Sequence, residues 1–361
     1  MTTAIIFFLV LGVLVVVHEL GHFWVAKRNG VRVDEFGFGF PPRILWKKIG
    51  ETIYSFNLFP LGGFVKIFGE NMDEGGDDPR SFINKKISQR AMILIAGVAM
   101  NVILAIVLFS FGAWYGVPSM IDESNVQYAR DIAIRIGQVA QDSPAEKSGF
   151  KIGDKLKELR FEDIKIEAQK TEDIQKFIQE HKGQELVVVV ERGSEMKELK
   201  AVPRTEYSPN EGSLGIAMVE SGIVSYPVYW APIKGVEATY NVSIGFATSI
   251  YFILKTWIMD GKVIGDVMGP VGIFDLTGQT AKLGFVYLLN FVAILSINLA
   301  IINALPIPAL DGGRLLFLAI EKIKGSPVNV NIEKYAHIVG FMLLILLMLL
   351  ITFKDITKRF F

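Results

Sequence analysis

Apolar residues gather into four runs, 4–26, 91–117, 284–310 and 336–353. Each is long enough to cross the hydrocarbon core of a bilayer, which takes about 17–25 residues in helical form. The runs 91–117 and 284–310 hold no charged residue, whereas the first is interrupted by His18, Glu19 and His22. A removable secretory signal needs a basic leader and a small-residue cleavage site, and the first run has neither. The pattern predicts a polytopic α-helical membrane protein with four transmembrane helices. A fifth stretch, 242–259, is apolar but carries Lys255 and several hydroxyl residues, and is read as an interfacial helix. The segment 27–90 carries eleven Lys and Arg residues, which makes it a cytoplasmic loop and leaves the N-terminus outside. Lys354, Lys358 and Arg359 weigh against that orientation, but less heavily.

Between the second and third runs the chain turns polar. In DSPAEKSGFKIGDKL (142–156) Ser143 suits the N-cap of a short helix starting at Pro144. Gly149 suits that helix's left-handed end, and Gly153-Asp154 a turn into a strand. A helical stretch follows at 171–183, then a valine-rich strand, ELVVVVERG, at 185–193. This succession resembles a PDZ domain of the bacterial protease type, an α+β fold that binds extended peptides by strand addition. The expected organisation is a first membrane part at 1–126, the PDZ domain at 127–205, a linker with the interfacial helix at 206–283, and a second membrane part at 284–361.

Composition narrows the chemistry. Of 361 residues 51% are hydrophobic and 20% charged, below the roughly 25% charged of soluble domains. The 37 basic and 37 acidic residues cancel, which gives no footing for nucleic-acid binding. There is no cysteine, so disulfides and thiolate metal sites are excluded and a transition metal must be held by His and carboxylate.

Two of the four histidines fall in VVVHELGHFW (15–24). Ionisable groups inside a span are costly and mark function. On a helix His18 and His22, four residues apart, share a face, the spacing of a zinc site, and Glu19 stands where it can act as general base on water. Catalytic zinc takes three protein ligands. His18 lies fourteen residues beyond Ala4, about 21 Å along the helix, so a third ligand must reach the inner half of the membrane. Asp311 in NALPIPALDGGR (303–314) meets that condition, because Pro306 and Pro308 end the third span just before it. If the insert lies outside, the third span must run inward, which argues against a full crossing by 242–259. A non-catalytic scaffold or transporter with a PDZ reader and a structural metal is the alternative.

HELGH in the first span, the PDZ-like insert and NALPIPALDGG near the end, in this order, resemble the site-2 protease family of intramembrane zinc proteases. Within it the bacterial regulator-of-sigma-E branch is the nearest in pattern. EFGFGFPPRI (35–44), FPLGGFVKIFGE (59–70) and GPVGI (269–273) extend the likeness along most of the chain. The resemblance implies one Zn2+ held by His18, His22 and Asp311, with Glu19 catalytic. It also implies substrate contacts from Asn298, Asn303 and a re-entrant β-structured region containing Gly62, Gly63 and Phe64. Gly62-Gly63 reads as a hairpin turn. The implied setting is the bacterial inner membrane, with the N-terminus and PDZ domain outside and the active site toward the cytoplasm. The implied substrates are single-span proteins, of the anti-sigma-factor type or signal-peptide remnants, already trimmed by an upstream site-1-type protease. Known enterobacterial members carry two PDZ domains, whereas this sequence has room for one.

Overall fold

The computed structural model of the chain describes residues 2–70, 76–193, 195–207, 212–261 and 268–360. Helix α1, Thr2–Arg28, covers the first apolar run and ends on Lys27 and Arg28, cations that suit a helix C-terminus. Strands β1, Val33–Ile49, and β2, Thr52–Ile67, follow. Each is long and sharply bent, so the pair makes four segments. Residues 43–49 pair with 52–57, 53–56 also pair with 35–38, and 35–38 pair on their other side with 63–66. The hairpin turn is Gly50-Glu51, between the paired Ile49 and Thr52. Gly62-Gly63 is therefore not the turn expected from sequence. It is a bend, with Gly62 at φ +141°, that swings 63–67 across to the opposite edge of the sheet. Helix α2, Ile87–Tyr115, covers the second run.

The next compact unit is Ala113–Pro227. Its elements are β3 Val117–Met120, β4 Ala129–Val139, α3 Pro144–Lys147, β5 Lys155–Phe161, β6 Ile164–Glu167, α4 Thr171–Glu180, β7 Leu186–Arg192, β8 Glu195–Ala201 and β9 Ile216–Val224. The sheet order is β3-β9-β4-β5-β7-β8, with β6 on β5. Ser143 caps α3 by accepting the Glu146 amide. Ile134, Leu159, Val188 and Val190 of the sheet enclose Ile174 and Phe177 of α4 in the core. The expected limits 127–205 are too narrow. They omit β3 and β9, because β9 follows residues that read as the start of a linker yet pairs with β4 along most of its length.

The other unit joins residues 1–112 to 228–361. Its later elements are α5 Ala231–Asp260, α6 Pro270–Leu283, α7 Phe285–Ala304, α8 Asp311–Lys324 and α9 Val330–Phe360. Residues 208–211 and 262–267 of the anticipated linker lie outside the described residues. Five described helices, α1, α2, α5, α7 and α9, are long and apolar enough to cross a membrane, one more than the four runs. The addition is α5. Sequence marks only 242–259, but the helix extends without interruption from Pro232 near its start to the left-handed Gly261 at its end. Its buried residues, Ala231, Gly235 and Thr239, all fall in its first third.

Packing sets helix direction. Gly21 of α1 meets the backbone of Ala96 in α2, where a Cβ would stand 2.3 Å from the carbonyl oxygen. Val10 and Leu14 of α1 cluster with Val292 of α7, flanked by Leu104 and Leu108 of α2. Thus α2 runs opposite to α1, and α7 runs parallel to it. Pro306 and Pro308 end α7 before Asp311, as expected. Near the start of α9, His337 Nδ1 accepts the Ala309 amide at 2.8 Å, and near its far end Asp355 accepts the amides of Gly269 and Gly272 at 2.9 Å. Helix α6 packs beside the start of α1, with Phe274 against Phe7 at 5.4 Å.

Candidate metal centre

Three elements converge: the middle of α1, the first residue of α8 and the middle of α2. One turn of α1 carries His18 and His22 on the same face, with ring centroids 4.8 Å apart. Both are buried, at 8% and 6% exposure, within a helix that is otherwise apolar there except for Glu19. They fit against α2 because Gly97 leaves room. A Cβ there would lie 2.2 Å from His22 Nε2 and 2.8 Å from His18 Cε1. His22 Nδ1 lies 2.8 Å from the Ile93 carbonyl. A carbonyl only accepts, so Nδ1 carries the proton and Nε2 keeps its lone pair.

Asp311 enters from the loop that follows α7. Ala309, at φ +81°, turns the chain in the left-handed region that a residue with a Cβ rarely occupies. The two glycines after Asp311 allow α8 to start hard against that loop: a Cβ on Gly312 would meet the Leu305 oxygen at 2.2 Å.

His18 Nε2, His22 Nε2 and Asp311 Oδ2 form a near-equilateral triangle. Its sides are 3.2 Å between the histidines, 3.2 Å from His18 to Asp311 and 3.3 Å from His22 to Asp311. Tetrahedral zinc with bonds of about 2.0–2.1 Å spaces its ligand atoms about 3.3–3.4 Å apart. Among the described residues, Asp311 Oδ2 is buried without a hydrogen-bond donor. Three such electron-rich atoms facing one point fit a divalent cation, and two imidazoles with one carboxylate are a zinc donor set. The set leaves a fourth position for a reactant.

A cavity of about 210 Å³ opens beside the triangle, lined by His18, Glu19, His22, Phe64, Val65 and Asp311 and also by Glu70 and Arg314. Glu70 and Arg314 form an ion pair. Glu19 is on α1 one residue from His18. The strand segment 63–67 passes directly over this part of α1, so that a Cβ on Gly63 would stand 3.0 Å from Val15 and 3.6 Å from Glu19 Cγ. That segment pairs with 35–38 on one side, and no described strand pairs with its other edge.

The structure thus brings together His18, Glu19, His22, Asp311, Gly63 and Phe64. Gly62 lies one residue beyond, against the Phe40 ring. Asn298 and Asn303, both half-buried on α7, are not among the described residues that line the cavity. The Asn298 side-chain oxygen is buried and, among the described residues, has no hydrogen-bond partner. Sequence reasoning missed Gly97, Asn101, Glu70 and Arg314. A signal for the first two existed: Asn101 is the lone carboxamide of an uncharged span, and Gly97 precedes it by one turn.

The sequence profile of peptidase family M50 matches residues 6–347. Zinc metalloprotease RasP of Oceanobacillus iheyensis is 31% identical over 444 aligned positions, covering all of both chains. Regulator of sigma-W protease RasP of Bacillus subtilis is 30% identical, covering 99% of each chain. Regulator of sigma-E protease RseP of Escherichia coli is 30% identical over 450 aligned positions, covering 98% of each.

Proposed function

The chain belongs to peptidase family M50 and is a multi-pass membrane zinc metalloendopeptidase, and from that premise we propose that its centre is His18, His22 and Asp311, with Glu19 as general base. The observation that carries this reading is the triangle of 3.2–3.3 Å sides beside a carboxylate. Bound there, Zn2+ supplies Lewis acidity that brings the pKa of water toward about 7 and polarises a carbonyl. His22 is held in the ligating tautomer by the Ile93 carbonyl. Glu19 takes the proton of the attacking water, keeps it within the cavity, and delivers it to the amide nitrogen as the C–N bond breaks. The products are a carboxylate and an amine.

The peptide must reach the site unwound, because helical carbonyls are tied up in their own hydrogen bonds. The edge of 63–65 that faces away from 35–38, on which no described strand lies, runs along the cavity and would hold an extended segment by strand addition, with Phe64 beneath it. Asn303 and Asn298 would contact the substrate from α7 once it enters.

The reading includes four crossings, α1, α2, α7 and α9. Helix α7 runs parallel to α1, so the chain from the end of α2 to the start of α7 begins and ends on one side. A lone crossing by α5 would break that parity. Helix α6, with 14 residues, spans only about 21 Å and cannot return the chain across about 30 Å. Helix α5 therefore lies at the interface or partly embedded. The basic segment 27–90 is cytoplasmic, and the unit Ala113–Pro227 is outside.

That outer unit is read as a PDZ domain. A groove of about 470 Å³ lies between α4 and the first half of β9, lined by Ile178, Gln179, Leu214, Ile216 and Met218. Strand β3 pairs with Ser221–Val224, and among the described strands the edge of 216–219 that faces away from β4 is open to a short peptide end. One such domain, against longer relatives, suits a filter for substrates already trimmed by an upstream protease. The substrates are single-span proteins of the bacterial inner membrane, of the anti-sigma-factor type or signal-peptide remnants. The test is to incubate the purified protein with a single-span model substrate and map the cut by mass spectrometry. A cut inside the apolar segment supports the reading, and a cut confined to the soluble flanks overturns it.

A further inference from the structure

His18 and His22 are held differently. His22 Nδ1 has a backbone carbonyl, which fixes its tautomer. Among the described residues His18 Nδ1 has only the Asn101 side chain, whose Nδ2 lies 3.3 Å away. Asn101 is fully buried at 0% exposure, and its backbone carbonyl accepts the Ser296 hydroxyl at 2.8 Å. That bond ties α2 to α7 at the depth of the site. The Asn101 side-chain oxygen is buried and, among the described residues, has no partner.

A donor at Nδ1 conflicts with the role of His18. To offer the Nε2 lone pair to a metal, the neutral ring must carry its proton on Nδ1. Two N–H groups then face each other at 3.3 Å, and neither satisfies the other. The two ends of a carboxamide are nearly identical in shape, so a half-turn about χ2 sets the unpartnered oxygen against Nδ1–H without moving the helix. Ligating histidines are oriented by such an acceptor on the distal nitrogen, and its loss typically weakens metal binding 10- to 100-fold.

We infer that Asn101 is the positioning residue of the metal centre, its side-chain oxygen accepting the His18 Nδ1 proton and so fixing His18 in the ligating tautomer. This rests on the reading of His18 as a ligand. Asn101 touches neither the substrate nor the metal. It does for one imidazole what the Ile93 carbonyl does for the other, but from a side chain instead of the backbone.

The test is zinc affinity of the full chain in detergent, by competition with a chromophoric chelator, for wild type, Asn101→Asp and Asn101→Leu. The two variants are near isosteres. Aspartate keeps an acceptor and lacks the donor, and leucine has neither. The expected result is affinity within a few-fold of wild type for Asn101→Asp and a 10- to 100-fold loss for Asn101→Leu. The Co2+-substituted proteins should show the same ranking in the similarity of their visible spectra to wild type. An Asn101→Asp protein that folds but binds zinc tenfold or more weakly overturns the proposal, as does wild-type affinity in Asn101→Leu. If Asn101→Leu does not fold, the Asn101→Asp arm decides alone. His18→Ala in the same assay separates the two levels: one tightly bound zinc retained there would sink the ligand assignment itself.

Discussion

Gly97→Ala is a one-methyl change that isolates the packing of the centre. In a helix interior, Gly to Ala ordinarily stabilises by about 1 kcal/mol. At Gly97 the new Cβ would stand 2.2 Å from His22 Nε2 and 2.8 Å from His18 Cε1. Ordinary contact begins near 3.4 Å, so the His22 ring must retreat by about 1 Å. Metal–ligand distances tolerate only about ±0.2 Å, and overpacking costs about 1–3 kcal/mol. Two kcal/mol alone is a loss of more than tenfold in affinity, and a ligand moved out of range loses more. The control is Gly245→Ala on α5, where nothing lies within 4 Å of the added Cβ. Zinc per chain by inductively coupled plasma mass spectrometry, with melting in detergent, reads both variants. Gly97→Ala should lose zinc at metal concentrations that saturate wild type, and Gly245→Ala should keep it. A Gly97→Ala protein with one zinc at wild-type affinity would refute the arrangement of His18 and His22 against α2.

Stripping zinc with a chelator should lower the melting temperature, since saturation at about 1,000 times Kd contributes about 4 kcal/mol; unchanged melting would place no metal at the triangle. Ser143→Ala should cost the outer unit about 1 kcal/mol through loss of the α3 cap, read as faster hydrogen exchange in residues 144–150 with zinc content unchanged. Leu159→Ala, at 1% exposure, should cost that unit about 2–5 kcal/mol, seen as faster exchange across β5 and β7; protection equal to wild type would contradict the core. Gly340→Ala sets a Cβ 2.4 Å from the Pro308 oxygen and should weaken zinc binding by shifting the loop that carries Asp311; full zinc affinity would show that this loop is not braced by α9.

Four of the long helices and the three residues of the candidate metal group are readable along the chain. Long apolar runs mark α1, α2, α7 and α9, and the prolines before Asp311 put the end of α7 where a carboxylate is needed. His18 and His22 were readable because their spacing is a local property of one helix. What stayed hidden depends on partners distant in sequence. Gly62-Gly63 reads as a turn because it lies between apolar runs, and only the pairing of Ile49 with Thr52 and of 63–66 with 35–38 moves the turn to Gly50-Glu51. Strand β9 has an ordinary mixed pattern and acquires its place only by lying beside β4. The first third of α5 is buried against α2 and α7, where mixed polarity is tolerated, so hydropathy sees only its later part. Gly97 and Asn101 matter because α1 crosses them; a lone carboxamide one turn after a glycine marks the place in α2, but not which helix it meets.

The central claim is that Glu19 works as a base on zinc chemistry at a centre it does not itself hold. Zinc content and cleavage of a single-span substrate, measured on one preparation of Glu19→Gln beside wild type, test it most directly. The account predicts one zinc per chain in both proteins and turnover at least about 10²-fold lower in the variant. Equal turnover, or loss of zinc together with activity, would contradict it.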